Sequence, residues 1–270
     1  MPPRGKKFEA AWLAIEADLK WPNPTIASAN ETASKVSGPT GVKMAGPYDW
    51  VPPAYWEADT GKYGGAWRFA TEISPGPSIP PYESLIKFLP KDSINNKSLD
   101  WLYHCGTMQF GNTKIFDTAL YARYGKPSDM MDYLNKAQLQ NYEGHRAMME
   151  GYGLKKYNNA TGVVQWMLSN PWPSLIWHTY DYYLYPAGTY FGMKKSMEPL
   201  HVMYSYNTNS VNIINSMLQA FNGLKVKATV YNLDGTQKFN KEVTINVAGD
   251  GTKQCFVLPT VTGLSDVYFV

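Results

Sequence analysis

Cysteine is scarce in this chain: Cys105 and Cys255 are the only two in 270 residues. A disulfide framework is therefore excluded, and two cysteines so far apart read most simply as separate free thiols. Charge is thin as well, with Asp, Glu, Lys and Arg at 17% against ~25% in soluble proteins generally. The net charge of +3 comes without a long basic run, which gives no footing for nucleic-acid binding. No run of ~18 apolar residues occurs, so nothing reads as a membrane span. Residues 1–7 carry no apolar h-region of the kind a signal peptide has. His104, His145, His178 and His201 lack metal-ligand spacing, and CxxC, HExxH, GxSxG and Walker-type patterns are all missing. No metal, nucleotide or other cofactor is expected.

What is abundant is aromatic surface, at 14% of residues. It is densest between Gly162 and Tyr206, where Trp166, Trp172 and Trp177 fall within twelve residues after a β-branched, strand-like start. Asn170, Ser174 and His178 are interleaved with these rings. A pyranose asks for this mixture, because its C–H faces stack on rings while its hydroxyls seek polar partners. The same run also fits an aromatic core segment, and spacing alone leaves both open.

The apolar spacing of Phe8, Ala11, Trp12, Ile15 and Leu19 predicts a helix over 7–19, stopped at Trp21-Pro22-Asn23-Pro24. Residues 25–28 read as a short strand, 37–53 as a Gly- and Pro-rich loop, and 66–73 as a strand ending in the Ser74-Pro75-Gly76-Pro77 turn. A short helix is expected over 82–88, longer ones over 113–124 and 128–152, a strand over 162–169 and a helix near 188–196. The second long helix carries Met130, Leu134, Ala137 and Met148 as a core stripe, which Met131, Leu139 and Tyr142 would widen. From Leu200 the pattern changes to period two, in runs at 201–206, 224–231 and 241–247. Asn232-Leu233-Asp234-Gly235 forms the hairpin turn between the last two, as in an antiparallel sandwich. The strand and helix part supplies about four strands, too few for a closed eight-stranded barrel. The sandwich pattern stops in mid-strand at residue 270. Both ends read as cut.

Glu72 is the leading chemical candidate, a carboxylate at the C-terminal end of a strand, the rim where barrel enzymes work. The same spacing fits a solvated loop residue. Retaining glycoside hydrolysis needs two carboxylates about 5–5.5 Å apart. His104 sits in a second aromatic patch and reads equally as a backbone-bonded core histidine. Asp181 can orient His178, bind a hydroxyl or cap the following helix. Tyr48 is a candidate hydrogen-bond donor to a carboxylate, or a loop-packing residue.

Four collinear segments carry a resemblance over nearly the whole chain. They are WPNP at 21–24, GPTGVKMAGPYDWVPPAYW at 38–56, FATEISPGPSIP at 69–80, and GVVQWMLSNPWPSLIWHTYDYY at 162–183, continued by PAGTYFGMKK at 186–195 and EPLH at 198–201. They resemble glycoside hydrolase family 2, in the branch that holds exo-β-D-glucosaminidases and plant-type endo-β-mannosidases. The resemblance implies an α/β plus all-β fold: residues 1–198 as the C-terminal half of a catalytic (β/α)8 TIM barrel, then residues 199–270 as an immunoglobulin-like β-sandwich, incomplete at its C-terminus. It implies Glu72 as nucleophile at the end of the seventh barrel strand, Trp166 on the eighth strand beside the glycone subsite, and Tyr48 on the sixth-strand loop. His104 matches a Trp-x-Tyr-His pattern, followed here by Cys105 where the family has a small residue. Trp172, Trp177, His178 and Asp181 are the other expected substrate contacts.

The family's general acid is an Asp in a Gly-Ser-Asp motif, often followed by Pro-Pro. This chain opens Met1-Pro2-Pro3, as though just after that aspartate. The expectation is an internal fragment of a longer, exported enzyme that cleaves β-1,4 linkages of chitosan oligosaccharides. Its structural partner is the missing N-terminal half-barrel, and the fragment alone is expected to be inactive. A mannosidase substrate and a non-catalytic carbohydrate-binding role are the alternatives.

Overall fold

The computed structural model describes residues 6–58 and 64–270, so the Met1-Pro2-Pro3 run lies outside the described residues. The chain opens with α1 (Lys6–Asp18), where apolar spacing predicts a helix. None of its residues is buried, and Phe8, Trp12, Ile15 and Leu19 are all more than half exposed. β1 (Val42–Lys43) lies inside the stretch predicted as loop and pairs in parallel with β2 (Arg68–Ile73). Then come α2 (Tyr82–Leu85), α3 (Lys91–Asn96), α4 (Leu99–Tyr103), α5 (Lys114–Tyr124) and α6 (Met130–Leu154). The chain returns as β3 (Ala160–Gln165), parallel to β2 on its other side.

Among the described residues this part forms three strands where about four are expected. Residues 25–28 take no strand, and the tie to β2 in that region runs through the Thr71 hydroxyl, which donates to the Ala29 carbonyl at 2.6 Å. β3 also stops short of residue 169. The Trp166 N–H still bonds the Ile73 carbonyl at 3.0 Å, but Met167 N–H then bonds the Trp177 carbonyl. The backbone groups that would extend the ladder close a loop instead.

A register irregularity between Ala70 and Ile73 interrupts strict alternation along β2. Ala70, Ile73 and Val163 pack with Ala147, Met148 and Tyr152 of α6. Phe69, Val164 and Trp166 lie outside that cluster and are 40, 47 and 38% exposed. α6 starts where Asp129 accepts from the Asp132 N–H at 2.9 Å while Asp132 accepts from the Ser128 N–H at 2.9 Å. Leu134, Ala137 and Met148 are buried as the stripe predicts, whereas Met131 and Leu139 stand in solvent. α7 (Gly188–Ser196) lies close against α6, because a Cβ on Gly188 would sit 2.0 Å from the Gln138 carbonyl oxygen and one on Gly192 2.2 Å from that of Tyr142.

The remainder forms two three-stranded antiparallel sheets. One is β4 (Leu200–Tyr204), β5 (Ser210–Asn215) and β8 (Thr252–Val257); the other is β7 (Gln237–Val247), β6 (Phe221–Asn232) and β9 (Tyr268–Phe269). Val211, Ile213 and Phe256 from the first meet Val226, Val230 and Val247 from the second in one core. The Asp-Gly turn joins β6 to β7 as predicted, with Gly235 at φ +80°. β5 escapes a period-two reading because all six of its residues are buried, which removes the alternation.

Polar contacts tie the two parts together. Lys156 donates to Asp250 at 2.8 Å and to the Asn215 carbonyl at 2.6 Å; Glu57 accepts from the Ser205 hydroxyl and from the Tyr206 N–H.

Candidate active site

Glu72 sits next to last on β2 and is half-buried. The Tyr48 hydroxyl, from the loop after β1, donates to Glu72 Oε1 at 2.6 Å, and Oε2 accepts no hydrogen bond among the described residues. Tyr48 is held from several sides. The Trp177 indole N–H donates to its carbonyl at 2.7 Å, the Trp177 ring packs at 5.7 Å, and the Phe110 ring stands edge-on at 6.2 Å. Phe110 and Trp177 also meet each other at 4.8 Å.

The two loops that bring these groups together are bonded to each other. Ser74 N–H donates to the Pro47 carbonyl at 3.1 Å. Gly76, at φ +92°, lets the turn after β2 press onto the backbone of Asp49 and Trp50, where a Cβ would come within 2.5 Å of Trp50 N. Gln165 then locks the end of β3 to the turn after β2 and to the loop that carries Trp177, donating to Ser74 Oγ at 3.2 Å and to the Trp177 carbonyl at 3.3 Å. Trp166 follows at the end of β3, 38% exposed, its N–H bonded to the carbonyl of Ile73, the residue after Glu72.

The electrostatics keep Tyr48 a donor. Burial first, then its hydrogen bond to Glu72 and the charge of that carboxylate, raise the phenol far above the usual tyrosine range. Burial raises the neighbouring Asp49 carboxyl as well. Among the described residues no group of three or more His, Cys, Asp and Glu side chains is placed to hold a metal ion.

The other candidate residues divide into two groups. His104 and Trp172 form a second aromatic cluster, stacked at 4.9 Å with planes 26° apart. His104 Nδ1 donates to the Pro173 carbonyl at 2.7 Å. Beside it Cys105 is buried, its thiol pushed up to about 12 by desolvation, and both Cys105 and Cys255 are free. His178 and Asp181 are brought into the interior instead. His178 is fully buried, faces Asn170 at 3.2 Å through Nδ1, and is pushed down to about 4 by burial, with Asp181 opposing. Asp181 Oδ1 accepts from the N–H groups of Tyr183 and Tyr185 at 2.8 and 2.9 Å, so it holds its own turn; the N-cap of the next helix, α7, is Ala187.

Two members of the site carry no sequence signal of their own. Phe110 reaches Tyr48 and Trp177 from a single 3-10 turn at Met108–Phe110. Gln165 is an ordinary strand residue by pattern, and only its amide geometry reveals the clamp.

No family model matches the chain. A curated exo-β-D-glucosaminidase of Streptomyces avermitilis is 42% identical over 272 residues, covering 97% of this chain and 30% of that protein. A mannosylglycoprotein endo-β-mannosidase of Lilium longiflorum is 29% identical over 53% of this chain. Among solved structures, the exo-chitosanase CsxA of Amycolatopsis orientalis in complex with PNP-β-D-glucosamine superposes with a TM-score of 0.91 at 36% identity, over 97% of this chain and 32% of that one. The chain thus spans about a third of the length of the relatives it matches.

Proposed function

The chain belongs to the exo-β-D-glucosaminidase branch of glycoside hydrolase family 2, and we propose that it supplies the nucleophile side of a retaining glycosidase site acting on β-1,4-linked glucosamine oligomers. The observation that carries this reading is the Tyr48–Glu72 contact at a parallel strand's C-terminal end, with Trp166 just past the end of the neighbouring strand. In this reading β1, β2 and β3 are the sixth to eighth strands of a (β/α)8 barrel within residues 1–198. Residues 199–270 are an immunoglobulin-like sandwich in this reading.

Tyr48 binds Oε1, orients the carboxylate and leaves Oε2 to attack the anomeric carbon. Bonding between Oε2 and that carbon forms the glycosyl-enzyme as the bond to the leaving oxygen breaks. The leaving oxygen needs a proton, and the donor is an Asp that this chain does not contain. Water, deprotonated by the same acid/base residue, then releases the sugar with retained configuration. Trp166 offers its ring to the C–H face of the bound sugar.

The absent proton donor costs a factor on the order of 10²–10⁴ in rate. The uncovered sheet face and the bare apolar stripe of α1 are where the other half of the barrel docks in this proposal. The 270-residue chain by itself is therefore expected not to hydrolyse p-nitrophenyl β-D-glucosaminide, and clear turnover by the purified chain would sink that claim. Supplying the absent barrel strands as a second polypeptide is expected to restore hydrolysis, and Glu72→Gln to abolish it.

A mannoside substrate is the second reading, favoured by the lily relative. Comparing glucosaminide and mannoside turnover on the completed site decides between them. A purely binding role would leave sugar affinity intact with no turnover even after completion.

A further inference from the structure

Three Asn-x-Ser/Thr triplets stand in the chain, at Asn30, Asn96 and Asn159, and none belongs to the site described above. Such a triplet is the acceptor pattern for an N-linked glycan, which needs a surface position. The fold separates the three. Asn30 is half-buried, and its side-chain oxygen already accepts from the Thr32 N–H at 2.9 Å. Asn96 is the last residue of α3, and Lys97, which separates it from Ser98, is fixed to Asp117 at 2.9 Å. Asn159 is exposed, as is Thr161, and its hydrogen bonds among the described residues are those of its backbone.

Asn159 lies in the tight turn from α6 into β3. The Lys155 carbonyl accepts from the N–H groups of Asn158, Asn159 and Ala160 at 3.2, 3.1 and 3.1 Å, and the Tyr157 N–H donates to the Ala160 carbonyl at 2.9 Å. Two residues before the acceptor, Tyr157 is 73% exposed, and its hydroxyl donates to Asp250 Oδ2 at 2.8 Å. Lys156 ties the same turn to the other oxygen of Asp250 at 2.8 Å. The ring is thus open to solvent yet held at both ends, so it has little freedom left to lose when a partner settles on it. The first sugar of an N-glycan presents a C–H face of the kind that packs on such a ring.

The position is also clear of Glu72. The Asn159 carbonyl accepts from the N–H of Arg68, the first residue of β2, at 2.7 Å. Glu72 is four residues further along that strand, roughly 13 Å away at about 3.3 Å per residue. A glycan on Asn159 therefore projects from the end of the sheet opposite the candidate nucleophile.

We propose that Asn159 is an N-glycan acceptor and that Tyr157 is the ring on which the first N-acetylglucosamine rests. The donor is an oligosaccharide linked through pyrophosphate to a membrane lipid, met during export. Asn159 Nδ2 bonds to the anomeric carbon as the bond from that carbon to the pyrophosphate oxygen breaks. The amide proton is lost to the transferase, and the lipid pyrophosphate leaves.

The test places the 270-residue chain behind a secretion leader in a eukaryotic host, with peptide mapping after amidase release of glycans in heavy-oxygen water. Asn159 is expected to be occupied, and Asn159→Gln and Thr161→Ala each to lose that label completely. Translation into microsomes reads the same event without requiring a folded product. With Asn30→Gln and Asn96→Gln in place, one glycan's shift in mobility is expected, and Asn159→Gln removes it. An unmodified Asn159 in both experiments overturns the acceptor. For the platform, glycans are trimmed to a single N-acetylglucosamine and thermal midpoints compared with Asn159→Gln. The glycan is expected to raise the midpoint by about 2 °C in wild type and not in a Tyr157→Ala background, where the lost Asp250 bond affects both arms and cancels. An equal rise in both backgrounds, or none in either, overturns the role of Tyr157.

Discussion

His201 Nε2 lies 2.8 Å from Glu150 Oε1, with the two side chains 1 and 2% exposed. The pair joins the long helix α6 to the first strand of the sandwich. Arg146 Nε donates to the same oxygen at 2.7 Å, and His201 Nδ1 stands 3.4 Å from Glu198 Oε2. Removing Glu150 leaves the buried His201 imidazole and the partly exposed Arg146 guanidinium without their shared carboxylate. Glu150→Ala is expected to destabilise the chain by about 1–3 kcal/mol, read as a lower urea midpoint. Unchanged stability would mean that the two parts do not depend on this contact.

Acid is expected to weaken the fold through two histidines. His145 and His178 are each fully buried and pushed down to about 4, chiefly by desolvation, from an ordinary value of 6.5. Between these limits the unfolded chain binds protons that the folded chain refuses, so stability rises with pH. It is complete above about 6.5 and is lost as pH falls toward about 4, by about 3 kcal/mol for each histidine. Urea unfolding across that window checks the slope, and His178→Gln should reduce it by about half.

Tyr48→Phe removes the hydroxyl that orients Glu72 and leaves the ring contacts with Trp177 and Phe110 in place. A hydrogen bond to a charged group contributes about 1.5–3 kcal/mol. Glycosidase turnover on the completed site is therefore expected to fall by roughly 10- to 100-fold, with the unfolding midpoint nearly unchanged. A large loss of stability together with activity would reassign Tyr48 to packing.

Gly192→Ala puts a methyl group where the Tyr142 carbonyl oxygen would be 2.2 Å away. The atom in the way is helix backbone, so α7 must move off α6. A loss of about 1–3 kcal/mol or more is expected, measured by thermal unfolding. The same change at Gly125, which meets nothing within 4 Å, acts only through its φ of +76°.

Much of the local structure was legible in the residues. Helices α1, α5, α6 and α7 form where they were expected, α1 and α6 on their apolar spacing, and the Asp-Gly turn closes where it was expected. The strand before Glu72 ends at its Pro/Gly turn, which put that carboxylate at a strand tip. What could not be read was anything set by neighbours distant in sequence. β5 hides because both its faces are covered. The apolar face of α1 looks like core by pattern but stands in solvent. His178 and Asp181 share the aromatic run with Trp172 and Trp177, yet they turn inward while Trp172 is 38% exposed and Trp177 half-buried.

Periodicity, turn chemistry and the four collinear segments determined which residues form elements, and which known family the chain resembles, because those signals are local. Tertiary structure alone decided that residues 48, 72, 110, 165 and 177 share one site. Their meeting depends on two loops pressed together through Gly76, on the amide of Gln165 and on a single 3-10 turn. Packing between segments so far apart leaves no periodic trace in the chain. It also separated the rings left exposed from those that fill the core.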